Sequence, residues 1–62
     1  MILIEIDKDF DTYTLYDTSN DNEWEYEGEY RGHHIDGNGV LHVEFDEGKV
    51  ELPAGCCVLT FK

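Results

Sequence analysis

The stretch Glu23-Trp24-Glu25-Tyr26-Glu27-Gly28-Glu29-Tyr30-Arg31 alternates acid with aromatic almost without a break. Successive side chains of an extended strand point to opposite faces. One face therefore takes Glu23, Glu25, Glu27 and Glu29, and the other takes Trp24, Tyr26 and Tyr30. A segment of this kind predicts a strand that packs a core on one side and carries a row of negative charge on the other.

Period-two patterning recurs along the chain, and no segment holds a helical period over ten residues. Ile2 to Ile6 reads as a first strand with Ile2, Ile4 and Ile6 inward, followed by a turn at Asp7-Lys8-Asp9. Phe10 to Tyr16 is rich in Thr and Tyr, which favour strands. Either face of it could be the buried one, since Tyr13 and Leu15 compete with Phe10 and Tyr16. After the polar loop Asp17 to Asn22, a third strand is expected to run from Glu23 to Ile35, curved at Gly28 and Gly32.

Asp36-Gly37-Asn38-Gly39 is a hairpin turn. Its simplest register sets Arg31 opposite Glu44, His33 opposite His42 and Tyr30 opposite Phe45, with Tyr30, Leu41, Val43 and Phe45 on the core face. A second turn over Asp46 to Lys49 leads to Val50-Glu51-Leu52, and Pro53 ends that strand because it has no N–H to donate. Ala54-Gly55 is compatible with one 3₁₀ turn. Cys57 to Phe61 is the last strand, with Cys57, Leu59 and Phe61 on one face. The expected fold is all-β: a small curved antiparallel meander or SH3-like barrel of five to six short strands.

A chain of 62 residues has room for one domain. It carries 15 acids against 4 Lys plus Arg, for a formal net charge of -11. A small soluble domain needs a net charge of only about 2–8 in magnitude. High net charge often marks disorder, but 13% aromatics and regularly spaced β-branched residues oppose that here. Only five residues separate Met1 from Asp7, too few and too acidic for a signal peptide, and no run is long enough to span a membrane. The chain reads as cytoplasmic. Its charge repels anionic membranes and bare nucleic acid and attracts basic proteins. Cys56 and Cys57 are adjacent and point to opposite faces, so a bond between them is disfavoured, and there is no second Cys pair to complete a zinc site.

The order of curved hairpin, third strand, Pro-Ala-Gly turn and closing strand, with Val43-Glu44-Phe45-Asp46-Glu47-Gly48 followed by Leu52-Pro53, resembles the Tudor/SH3-like superfold over Trp24 to Phe61. The resemblance implies an architecture, and architecture does not set function. It also raises the aromatic cage with which Tudor domains hold a methylated lysine or arginine by cation–π attraction. Trp24 and Tyr26, with Tyr30 and Phe45, are the residues that would form one. The competing reading is that a chain this short buries its aromatics as core.

The acidic row is the leading candidate. Same-face neighbours on a strand lie roughly 6.8 Å apart. Each pair repels by roughly 0.6 kcal/mol in water, about half of that in physiological salt. Three such pairs sum to about 1 kcal/mol, against the roughly 3–5 kcal/mol net that so small a core supplies. Residues 1–31 hold ten acids and two bases, and residues 32–62 hold five acids and two bases. The charge is thus concentrated in the first half. One reading is a solvated acidic face. The other is a surface that imitates the nucleic-acid backbone, on which each strand of a duplex carries one charge per roughly 3.4 Å. Glu23, Glu25, Glu27 and Glu29 would carry it, with Asp17 and Asp21 from the adjoining loop. Small acidic β-proteins of this style resemble phage-encoded inhibitors of host restriction, CRISPR, repair or transcription enzymes. The partner would be the basic groove of a nucleic-acid-handling protein. A homodimer stays open, as does an edge strand added to a larger assembly.

Other chemistry has less support. His33 and His42, helped by Asp36 or Glu44, fall short of the four ligands a structural zinc takes. Asp7-x-Asp9-x-Asp11 opens like a calcium loop, but the glycine at the sixth place is missing and Thr18 stands where the twelfth-place acid belongs. Asp17-x-Ser19-x-Asp21 fails in the same way. No nucleophile–base arrangement or phosphate-cradling loop is present, so no catalytic residues, metal or cofactor are assigned.

Overall fold

The computed structural model describes residues 1–62 and contains seven strands: β1 (Ile2–Asp7), β2 (Thr12–Asp17), β3 (Asn22–Glu27), β4 (Tyr30–Ile35), β5 (Val40–Phe45), β6 (Gly48–Pro53) and β7 (Cys57–Phe61), with one 3₁₀ turn at Ala54–Cys56. The fold is all-β, as the alternation predicts. It has more strands than the five to six expected, because the stretch from Glu23 to Ile35 is two strands, not one. β3 belongs to a four-stranded sheet ordered β3-β2-β1-β7, and β4 to a three-stranded sheet ordered β4-β5-β6. The two sheets stack without closing into a barrel. Nor is the chain wholly a meander, since β1 pairs with β7 in parallel. The smallest extent of the molecule is 17 Å, that of two twisted layers about 10 Å apart. No helix is long and apolar enough to cross a membrane.

Gly28 is where the chain leaves one sheet for the other. A Cβ there would lie 3.1 Å from Tyr13 Cε1 and 3.3 Å from Phe45 Cβ. The missing side chain lets the crossover press against both layers at once. Beyond it, the Asp46 N–H donates to the Glu29 C=O and the Glu29 N–H donates to the Asp46 carboxylate, which fastens the start of β4 to the end of β5.

The core consists of Ile4 and Ile6 from the first sheet and Leu41, Val43 and Phe45 from the second. Ile2, Tyr13, Leu15, Tyr30, Val50, Leu52, Cys57 and Leu59 pack around it. Tyr13 and Leu15 therefore supply the inward face of β2, which the pattern of residues 10–16 leaves open. Phe10 lies in the β1–β2 turn before the strand begins and is 78% exposed.

The β4–β5 register departs from the simple one. Tyr30 faces Phe45 as expected, but Arg31 is an extra residue in a bulge. Gly32, with φ +145°, takes its place opposite Glu44, in a region that favours glycine. The expected Arg31–Glu44 pair does not form, and Arg31 instead pairs with Glu29 at 3.1 Å. The same shift sets His33 opposite Val43 and His34 opposite His42. The ring of His34, not His33, stacks on His42, with centroids 4.7 Å apart.

The first two hairpin loops are built alike. Asp7 Oδ1 accepts the amides of Asp9 and Phe10, and Asp17 Oδ1 accepts that of Ser19. Each loop closes on an aspartate at positive φ, Asp11 at 52° and Asp21 at 55°, a conformation Asp tolerates better than most residues. The calcium-like spacing is thus turn chemistry repeated ten residues apart.

Candidate functional site

The ladders decide which side chains share the outer face of the first sheet. Glu23, Glu25 and Glu27 stand opposite Tyr16, Thr14 and Thr12. These in turn face Leu3, Glu5 and Asp7 on β1. Two rows across the sheet therefore read acid–Thr–acid: Glu25, Thr14, Glu5 and Glu27, Thr12, Asp7. Carboxylates of a row stand roughly 9.6 Å apart, two strand spacings, and those along β3 roughly 6.8 Å apart. Glu5 is a contributor that reading β3 by itself misses, and the inward placement of Ile4 and Ile6 was the signal for it.

No residue of β1, β2, β3 or β7 is basic. The four cations lie in a loop, in the second sheet and at the last residue, and three of them have acidic partners: Arg31 with Glu29, Lys49 with Glu51 at 3.1 Å, and Lys62 with Asp7 at 4.0 Å. None of the ion pairs involves Glu5, Glu23, Glu25 or Glu27. Their charges are uncompensated within the molecule.

The other predicted acids are placed differently. Glu29 lies past Gly28, outside β3, and is paired with Arg31, so the continuous row has three members, not four. Asp17 turns to its own loop, where the Asn20 amide at 2.8 Å and then the Ser19 N–H hold its carboxyl below the usual range. Asp21 accepts the Tyr16 hydroxyl at 2.5 Å, and this bond raises the Tyr16 pKa. Asp21 thus joins the outer face through Tyr16, while Asp17 acts as a loop brace. Around the end of β3 the surface dips into a cleft of about 450 Å³ lined by Phe10, Asp11, Glu27, Glu29, Asp46 and Glu47.

Trp24 and Tyr26 lie on the inner face of β3, beside Leu15 and Tyr13, but this edge overhangs the three-stranded sheet. They are 46% and 43% exposed, not buried. Tyr26 stacks on Tyr13, which stacks on buried Phe45 at 3.8 Å between centroids. Tyr30 meets Phe61 edge-on, and Lys8 of the same chain sits 5.3 Å and 4.8 Å from these two rings. Trp24, Tyr26, Tyr30 and Phe45 therefore do not gather round a common space as a cage would.

In the second sheet His42 Nε2 donates to Asp36 Oδ2 at 2.8 Å, and Glu51 lies 3.7 Å from Nδ1. The Asp36 carboxyl also accepts the amides of Asn38 and Val40, and its pKa falls to about 2, the His42 bond being the largest cause. This cluster braces the β4–β5 hairpin. No group of three or more His, Cys, Asp or Glu side chains is arranged to hold a metal ion. Cys56 is exposed and Cys57 half-buried, both as free thiols. Burial pushes the Cys57 thiol up.

What fold and surface define together is a two-layer β domain with one strongly anionic sheet. Comparison with known proteins finds no match to this chain, whether by family model, by curated sequence or by solved structure.

Proposed function

We propose that the chain is an acidic interaction protein that occupies the basic groove of a nucleic-acid-handling enzyme and so excludes the true substrate, in the manner of the phage-encoded inhibitors that block host defence or take over host machinery. The observation that carries this reading is the outer face of the first sheet: Glu5, Glu23, Glu25 and Glu27 lie on it without ion pairs, and its four strands contain no base. A groove shaped for a polyanion presents clustered Lys and Arg to such carboxylates, and release of counterions drives binding at low salt.

The test is capture from the natural host followed by a competition assay. The immobilised chain is expected to retain a nucleic-acid-binding protein at low salt, release it at high salt, and suppress that protein's binding to DNA or RNA. The variant E25K/E27K is expected to lose both effects with an unchanged circular dichroism spectrum. Inhibition that survives the double reversal would overturn the reading.

A second reading is a module that binds a basic or methylated peptide through Trp24 and Tyr26. Their exposure at the edge of the sheet favours it.

A further inference from the structure

β3 uses its backbone on one side only. Gly28 N–H donates to Asp11 C=O, and along an antiparallel pair hydrogen-bonded and non-bonded positions alternate. Tyr26 and Trp24, two and four residues back, therefore direct their N–H and C=O at β2. Glu23, Glu25 and Glu27 direct theirs away from the sheet. β2 is the only strand paired with β3, and no other backbone hydrogen bond uses these three residues.

Open edges are normally blunted by a bulge, a proline, a lysine or a covering segment. β4 has its bulge at Arg31, and β6 carries Lys49 and ends on Pro53. β3 has none of these over six residues in unbroken register. What it carries is alternation: carboxylates on the outer side, and two half-exposed aromatics on the overhanging inner side.

That alternation selects the occupant. A second copy added antiparallel through β3 would set Glu25 against Glu25 and Glu23 against Glu27, with Cβ atoms about 4.5–5.5 Å apart. Like charges directly opposite are destabilising, so the edge is guarded against itself. A strand with Lys or Arg at every second position meets the same three carboxylates with opposite charge, and its intervening apolar residues cover Trp24 and Tyr26.

We propose that the β3 edge takes an extended basic segment of the partner as a fifth strand of the first sheet, with cationic side chains opposite Glu23, Glu25 and Glu27. This deepens the proposed function and rests on its premise of a basic partner. It adds main-chain hydrogen bonding to what is otherwise attraction between surfaces.

The probe is the blocked heptapeptide Val-Lys-Val-Lys-Val-Lys-Val, set against its isomer Lys-Lys-Lys-Val-Val-Val-Val, with amide exchange in the full chain followed by NMR. The alternating peptide is expected to slow exchange at the Glu23, Glu25 and Glu27 amides by about tenfold or more and to bind about tenfold tighter than the isomer. Equal binding of both peptides without protection of those amides would overturn strand addition and leave the charge-based function standing. Binding of neither would overturn both. Protection of the same amides in the protein without peptide, growing with its concentration, would overturn the choice of occupant in favour of a second copy.

Discussion

Gly28 is fixed by space, not by backbone torsion. A Cβ 3.1 Å from a Tyr13 ring carbon and 3.3 Å from Phe45 Cβ forces one layer to give way, and overpacking of this kind costs about 1–3 kcal/mol. Gly28→Val is expected to lower the urea midpoint clearly. Gly37→Ala, where the added methyl meets nothing within 4 Å, is expected to leave it nearly unchanged. Equal midpoints for the two variants would show that the crossover is looser than described. Asp36 gives a pH prediction. Its carboxyl ionises at about 2 when folded, against an ordinary 3.8. A lowered folded value means that the stabilisation is present above the ordinary pKa and is lost as pH falls through the folded one. The stabilisation that Asp36 contributes should therefore decline between about pH 4 and 2, and the difference in stability between the parent chain and Asp36→Asn should shrink over that window. Urea unfolding at both ends of the window reads the difference.

At the scale of elements, β3 is held by β2 alone and lies half outside the core. Trp24→Ala should therefore cost less than Ile4→Ala, which empties a site with no exposure and belongs with core truncations of about 2–5 kcal/mol. Thermal unfolding of the two variants checks the order. A Trp24→Ala chain that fails to fold would move this side chain into the core and remove it as a contact surface. Much at this scale was legible in the amino-acid order. The inward set Ile2, Ile4 and Ile6, the faces of β5, the 3₁₀ turn after Pro53 and the outward glutamates of β3 all follow from period two and turn chemistry, which are local. The misread positions are those decided by tertiary contact. Nothing local in Gly28 tells a bend within a strand from passage between sheets, because that depends on Tyr13 and Phe45 arriving from elsewhere. The bulge at Arg31 displaced the histidine pairing by one residue for the same kind of reason. The outer acidic row was visible from β3, whereas its second row needed the ladders to β1.

At the scale of the whole molecule, salt should act in opposite directions on folding and on binding. Self-repulsion at a net charge of -11 weakens as the Debye length shrinks from about 30 Å at 0.01 M to about 3 Å at 1 M. The melting temperature should therefore rise with salt while affinity for the basic partner falls. Calorimetry and a binding titration over one salt series test the pair, and a melting temperature that drops with salt would mean that the carboxylates do not repel in the folded state. The parallel pairing of β1 with β7 has a consequence for synthesis. Ile2 to Ile6 leave the ribosome well before β7, their neighbour about fifty residues later in the chain, so the four-stranded sheet cannot complete until that strand has been made. Contacts of such long sequence separation make folding slow, and until Cys57 to Phe61 emerge the nascent chain carries a row of isoleucines with one flank bare.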